Sequence, residues 1–184
     1  MNNVKKAIIT AIMIALCVVL PMAVHGIPRG GIILSPMHVP VLLCGLTCGP
    51  IYGFFSGLAG ALLSHLLTGM PPAPVLPGML IELFFYGLTA GLMMKFVKTG
   101  KLAADLYISL VVAMLVGRIA GGLGKALIFA RGSYSFAAWA SGYFAATMPG
   151  MILQLILIPL IYFTLEKANL IPSRYPRLGS KEDK

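Results

Sequence analysis

Three ionisable side chains in otherwise apolar segments are the residues of this sequence best suited to chemistry. Glu82, Arg118 and Lys125 each lie within a long run of apolar residues. A charge inside a bilayer is costly, so such a residue usually faces a cavity or a partner and marks a functional site. The polar residues that could act with them are His38, His65, Tyr86 and Gln154. We interpret the set as groups that contact a polar solute.

The depths of these residues indicate that they share the outer half of the membrane. At 1.5 Å per residue, Glu82 lies about 6 Å from the outer end of its helix and Arg118 about 24 Å from the inner face. Lys125 is seven residues beyond Arg118 on the same helix face, and Gln154 lies near mid-depth. We expect a pocket open to the outside. The structural alternative is a Glu82–Arg118 ion pair with Lys125 extending outward to the interface.

The composition predicts an all-α integral membrane protein. Of the 184 residues, 59% are hydrophobic and 10% are charged, whereas an ordinary soluble domain is about 25% charged. A membrane span takes about 20 apolar residues. The apolar runs predict six transmembrane helices, near residues 4–24, 37–48, 51–67, 78–97, 102–130 and 142–165. The fifth is expected to tilt or to end early. We expect one membrane domain over 1–172, a charged tail over 173–184 and no soluble domain.

The distribution of charge predicts the orientation. The net charge is +9, and ten of the fourteen Lys and Arg residues lie at the N-terminus, between 95 and 101, and after 166. Six spans place these regions on one side, and the positive-inside rule makes that side cytoplasmic. The pattern therefore favours a topology signal over nucleic-acid binding.

The remaining patterns predict packing and loops. Gly53, Gly57 and Gly60 form a small-residue face for close helix packing. Residues 25–36 contain two prolines and three glycines, which exclude a regular helix. We interpret His25 as part of that loop and His65 as an interfacial residue. The aromatic residues expected in an interfacial belt are Tyr134, Trp139 and Tyr143.

A metal site is not expected. Cys44 and Cys48 are four residues apart on one helix face, but no third ligand stands at a useful spacing.

Two sequence features resemble a known family. The first is an alanine stripe, Ala7, Ala11 and Ala15, spaced four residues apart on the first helix. The second is PMHVPVLLCGLTCGP over 36–50, followed by Tyr52-Gly53; it resembles the I-P-x-L-x-x-G-x-x-x-G-P-x-x-G stretch of riboflavin-type substrate-binding components. The chain thus resembles the substrate-binding (S) component of an energy-coupling factor transporter, a vitamin importer of prokaryotes. From composition alone, the stripe could equally serve packing within the bundle.

The resemblance implies a binding subunit and not an enzyme. Such a subunit captures a micronutrient outside the plasma membrane and docks through its alanine stripe on a coupling membrane protein that carries two ATP-binding subunits. Toppling of the S component then delivers the solute. The chain lacks the phosphate-binding motif G-x-x-x-x-G-K-[ST], so we expect no cofactor in the chain itself and ATP use by its partners. In the family, the first loop, here 27–36, caps a pocket formed by the last three helices.

The solute and two other classes of function stay open at this stage. Arg118 and Lys125 favour an anion such as pantothenate, whereas Glu82 could accept N–H groups of a deazapurine queuosine precursor or a pterin. The chain begins Met1-Asn2, and the metal-importing relatives begin Met-His, so cobalt and nickel are not expected. The alternatives are an autonomous carrier or channel, and a small membrane enzyme that modifies lipids. Asp105, near the inner face, has no acidic companion for such an enzyme.

Overall fold

A computed structural model describes residues 1–24, 26–28, 30–129 and 135–175 of the chain, and at 128 and 129 it describes the backbone alone. The predictions made for His25, for Tyr134 and for the tail beyond Tyr175 fall outside this part. Within it there are eight α-helices, two π-helical segments and no strand. The α-helices are α1 Asn3–Ala23, α2 Gly30–Leu34, α3 His38–Cys48, α4 Pro50–Thr68, α5 Leu76–Phe96, α6 Leu102–Gly124, α7 Phe136–Ala140 and α8 Met148–Lys167.

The number of predicted spans is confirmed. In the described ranges, six helical segments are long and apolar enough to cross a membrane. They are Asn3–Ala23, Gly30–Cys48, Pro50–Thr68, Leu76–Phe96, Leu102–Leu127 and Met148–Lys167. Large apolar side chains are exposed along these segments, which a bilayer accommodates and water does not.

Helix α5 lies at the centre of the bundle. It packs against α3, α4 and α6, and its Leu83, Tyr86 and Ala90 are fully buried. Apolar burial alone does not select this arrangement in a membrane, because lipid tails are as apolar as a helix face. Close backbone approach therefore has to select it.

The close approach is made by glycines, as predicted. A side chain at Gly87 would overlap the carbonyl of Gly53, and one at Gly53 or Gly57 would overlap the α5 backbone. The third predicted member, Gly60, faces α1, where an added Cβ would lie 2.8 Å from the sulfur of Cys17. The small-residue face of α4 thus serves two neighbours, α5 and α1.

The first loop contains a helix that the sequence analysis excluded. Within 25–36, residues Gly30–Leu34 form α2, because the prolines stand on either side of these five residues and not among them. The chain then breaks at Ser35, whose φ of +46° is in the left-handed region. The second span is therefore Gly30–Cys48, a helix broken near its outer end.

The last two spans differ from prediction at their outer ends. Helix α6 ends at Gly124 and continues as a π-helical turn, Lys125–Phe129, so the type of helix changes near the outer end of the predicted range. The sixth span begins later than predicted: α7 and a second π-helical turn, Ser141–Ala145, precede α8. Pro149 is in the first turn of α8, where proline suits the start of a helix.

A polar contact closes the inner end of the bundle. Buried Asp105, in the first turn of α6, accepts hydrogen bonds from Arg174 Nε and from the Tyr175 hydroxyl, each at 2.6 Å. The same guanidinium donates to the carbonyls of Met94 and Val97 at the end of α5. The segment after α8 is thereby joined to the α5–α6 loop.

Replacement of Gly87 by alanine tests the glycine contact. We expect Gly87→Ala to destabilise the folded chain by about 1–3 kcal/mol, because the added methyl group overlaps backbone that cannot move aside. Thermal unfolding in detergent measures the change as a lower midpoint. Gly26→Ala is the control, since an added Cβ there meets nothing within 4 Å. Equal midpoints for the two variants would contradict the packing described.

Candidate functional site

A cavity of about 410 Å³ lies at the end of the bundle opposite the Asp105–Arg174 contact. Its size is within the usual range for a small-molecule site. Segments from much of the chain line it: α2, the start of α3, the loop before α5, α5, α6 and the stretch before α8. The polar and charged side chains in the lining are Ser35, His38, Glu82, Arg118, Lys125, Tyr143 and Thr147.

Arg118 is the most unusual of these residues because it is buried without a carboxylate. Its exposure is 1%, and Nη1 donates to the Thr147 hydroxyl at 2.7 Å. The guanidinium lies 5.5 Å from the centre of the Phe144 ring. In the part of the chain that the structure describes, no carboxylate forms an ion pair with Arg118 and its Nε has no hydrogen-bond partner. A buried cation with no carboxylate in direct contact is costly, so an anion in the cavity would be stabilised here.

Glu82 pairs with a histidine and not with Arg118. Its Oε1 lies 3.5 Å from Nε2 of His38, and the two side chains are 10% and 6% exposed. The Glu82–Arg118 ion pair considered as a structural alternative does not form. Glu82 and His38 come from the second turn of α5 and the first residue of α3, so the pair closes the cavity between two helices.

Two of the predicted binding residues lie beneath the cavity and do not line it. Tyr86 is fully buried, with its ring centre 5.1 Å from that of His38, edge to face. Gln154 is also fully buried, and its Nε2 is 3.5 Å from the Ser35 carbonyl. The Tyr86 hydroxyl, which interacts with Glu82 and Arg118, and Gln154 Oε1 form no well-aligned hydrogen bond among the described residues. Tyr86 therefore packs against His38 and Gln154 against Ser35, and His38 and Ser35 in turn line the cavity.

The outer part of the cavity is more open. Lys125, in the π-helical turn after α6, is exposed and lines the cavity. Tyr143, which was predicted to belong to an interfacial belt, also lines it. Trp139 is half-buried, and its Nε1 donates to the carbonyl of Arg118 at 3.1 Å, which holds α7 against α6. His65, in contrast, bonds to the Pro71 carbonyl outside the cavity lining.

Sequence reasoning missed two polar residues of the cavity. Thr147 accepts from Arg118 and donates to the Tyr143 carbonyl at 2.7 Å, yet a lone threonine before Pro149 carries no recognisable signal. Ser35 was placed only within the expected cap over 27–36. Its position directly before Pro36, where the backbone must leave the helix, was the available clue.

A second cavity adjoins the first. It measures about 440 Å³ and is almost wholly apolar. The two share Gly31, Ile32, Val75 and Met79 as a common wall. The two cavities are therefore neighbours, and α2 and the start of α5 contribute to both.

The groups in the polar cavity suit binding better than reaction. They offer two cations, one carboxylate paired with an imidazole, and three hydroxyl groups. A hydrolytic or transfer site would need a nucleophile beside a base that is itself oriented for proton transfer. Thr147, the hydroxyl nearest the charged groups, already donates to a backbone carbonyl and accepts from Arg118.

Comparison with protein families agrees with this architecture. Residues 5–162 match the family of ECF transporters, substrate-specific component. The match covers most of the chain, and the chain belongs to this family of multi-pass membrane proteins. It is accordingly a substrate-specific component of an importer, as the resemblance implied. A search of curated proteins returned no match.

Replacement of Arg118 tests the site. We expect Arg118→Ala to lower solute affinity roughly 10–150-fold, as loss of a charge-assisted hydrogen bond does. The fold should survive, because the change removes a buried charge that has no direct ion-pair partner among the described residues. Mass spectrometry of the small molecules that co-purify with the chain measures retention, and Lys98→Ala at the opposite end is the control. Equal retention by both variants would remove Arg118 from the site.

Proposed function

We propose that this chain captures a small, water-soluble, anionic micronutrient from outside the cell and passes it to an ATP-driven coupling module. The observation that supports the anion is the burial of Arg118 without a carboxylate partner among the described residues. Lys125 adds a second cation at the same cavity. The cavity, with Arg118 near its base, would then hold the solute between α2, α5, α6 and the segment before α8.

Of the two favoured solutes, a carboxylate such as pantothenate fits better than a deazapurine. A carboxylate can take two N–H donors from one guanidinium in a planar arrangement. The deazapurine hypothesis requires Glu82 to receive N–H groups, and Glu82 already has His38 at 3.5 Å.

Docking is proposed to occur on the alanine stripe of α1. Ala7, Ala11 and Ala15 are exposed, and they stand beside the exposed Ile8 and Ile12. The opposite face of α1, with Thr10, Met13 and Cys17, is the one buried in the bundle. Packing within the bundle therefore does not occupy the stripe, which supports the docking interpretation over the internal one. Small residues allow the backbone of a partner helix to approach closely.

A bulky residue on the stripe should separate transport from binding. We expect Ala11→Trp to reduce uptake roughly tenfold or more, a loss of about 1.4 kcal/mol or greater in docking. Retention of co-purifying solute should be unchanged, because Ala11 lies on the outer surface of α1.

Val111→Trp is the matched control, a bulky change at an exposed site on α6, which does not pack on α1. Uptake is measured in cells that also produce a coupling module. Loss of solute retention by Ala11→Trp, or an equal loss of uptake in both variants, would contradict the docking assignment.

Energy is proposed to come from the partners: a coupling membrane protein and two ATP-binding subunits. The clustering of basic residues near the inner end supports cytoplasmic N- and C-termini in a prokaryotic plasma membrane. The sequence contains no G-x-x-x-x-G-K-[ST] motif to cradle a nucleotide phosphate.

The purified chain alone should therefore retain solute but show no ATPase activity above an empty-vesicle background. Phosphate release in reconstituted vesicles measures this, and addition of the coupling module supplies the positive control. Hydrolysis by the chain alone, abolished by Arg118→Ala, would instead indicate that the cavity is an enzyme site.

A further inference from the structure

The hydrogen bond between His38 and Ser35 determines which nitrogen of the imidazole carries a proton. Nδ1 of His38 lies 3.1 Å from the Ser35 carbonyl oxygen, which also accepts the His38 backbone N–H at 3.1 Å. A carbonyl oxygen can only accept, so Nδ1 must be the donor. In a neutral imidazole with a proton on Nδ1, Nε2 is an acceptor.

That acceptor faces a second acceptor. Nε2 lies 3.5 Å from Oε1 of Glu82. Two lone pairs at this distance would repel. Because both side chains are nearly buried, water screens this repulsion only weakly. The contact is favourable only when a proton lies between them. The pair is then either an imidazolium with a carboxylate or an imidazole with a carboxylic acid.

We propose that His38 and Glu82 hold one proton between them, and that Gln154 is a positioning residue that keeps this arrangement through the Ser35 carbonyl. Gln154 Nε2 approaches the same carbonyl oxygen from α8 at 3.5 Å. Ser35 itself has a φ of +46°, a conformation that costs energy in a residue with a side chain and persists only where its surroundings impose it. Three elements, α3, α5 and α8, thereby control one proton at the cavity wall.

Because other ionisable groups surround the His38–Glu82 pair, the protonation state of the pair affects how strongly the cavity binds the solute. Tyr86 from α5 and Arg118 from α6 lie next to the pair. Lys125 and Tyr143 line the same cavity. Behind the pair, the Cys17 thiol of α1 donates to the Met37 carbonyl. With one shared proton the pair has no net charge, and Arg118 and Lys125 remain to attract an anion. Loss of that proton would add a negative charge beside the anion and weaken its binding. The effect on anion binding rests on the proposed function, whereas the presence of one shared proton in the pair does not.

Nuclear magnetic resonance of the full chain in lipid nanodiscs tests the proposal. Histidine is labelled with ¹⁵N and glutamate with ¹³C at the carboxyl group. The signals of His38 and Glu82 are assigned by difference from His38→Gln and Glu82→Gln. At neutral pH we expect a protonated Nδ1 together with one shared proton, seen either on Nε2 beside an ionised Glu82 or on Glu82 beside a bare Nε2. In Glu82→Gln, His38 should be neutral with its proton on Nδ1.

A bare Nδ1, a neutral His38 beside an ionised Glu82, or protons on both partners would each overturn the shared proton. For the positioning role, Gln154→Leu should shift the Nδ1 resonance, whereas Leu153→Ala, a change on the exposed side of α8, should not. An unmoved Nδ1 resonance in Gln154→Leu would remove Gln154 from the proposal. A shared proton in a chain that retains no solute would contradict the proposed function alone.

Discussion

The buried guanidinium of Arg118 is the constraint on which the site depends. The cost of burying an ion in a low-dielectric interior is several kcal/mol even after relaxation. Here Thr147 and the Phe144 ring offset part of that cost, and no carboxylate among the described residues does so. The backbone carbonyl of Arg118 is held in turn by Trp139. A buried guanidinium without a direct ion-pair partner is suited to binding a negatively charged solute.

The rest of the bundle provides the rigidity that this constraint requires. Glycines at Gly53, Gly57 and Gly87 bring α4 and α5 into backbone contact. Further along, a side chain at Gly117 would overlap the Tyr86 ring, so the Tyr86 ring packs directly on the α6 backbone near Glu82. At the inner end, Arg174 joins the segment after α8 to the loop between α5 and α6. Helices α5 and α6, which carry Glu82 and Arg118, are therefore held together within the bundle and at its inner end.

Much of this architecture was predictable because it follows from the length of the apolar runs and from the energetic cost of charges and unpaired backbone groups in a bilayer. Six apolar runs give six spans, since only helices of about 20 residues satisfy their own backbone across a bilayer. The intramembrane charges Glu82, Arg118 and Lys125 could be found because charges are rare in such runs. Depth counting then placed them in the outer half of the membrane, and the structure brings all three to one cavity.

The remaining features could not be read from the sequence, because they depend on contacts between distant segments. The partner of Glu82 is His38, which lies 44 positions earlier, and no local pattern distinguishes it from a pairing with Arg118. Tyr86 and Gln154 were predicted to bind the solute, but their burial below the cavity depends on how α3 and α8 enclose them. Helix α2 was missed because prolines in a segment were taken to exclude helix throughout it, although none lies within Gly30–Leu34.

The central claim is that an anionic solute binds at Arg118. The most direct measurement is an experimental density map of the purified chain with its co-purified solute bound, obtained by cryo-electron microscopy with a rigid binding fragment attached. We predict non-protein density in contact with Arg118, Thr147 and the His38–Glu82 pair. Solute density elsewhere in the bundle, with the cavity at Arg118 empty, would contradict the account.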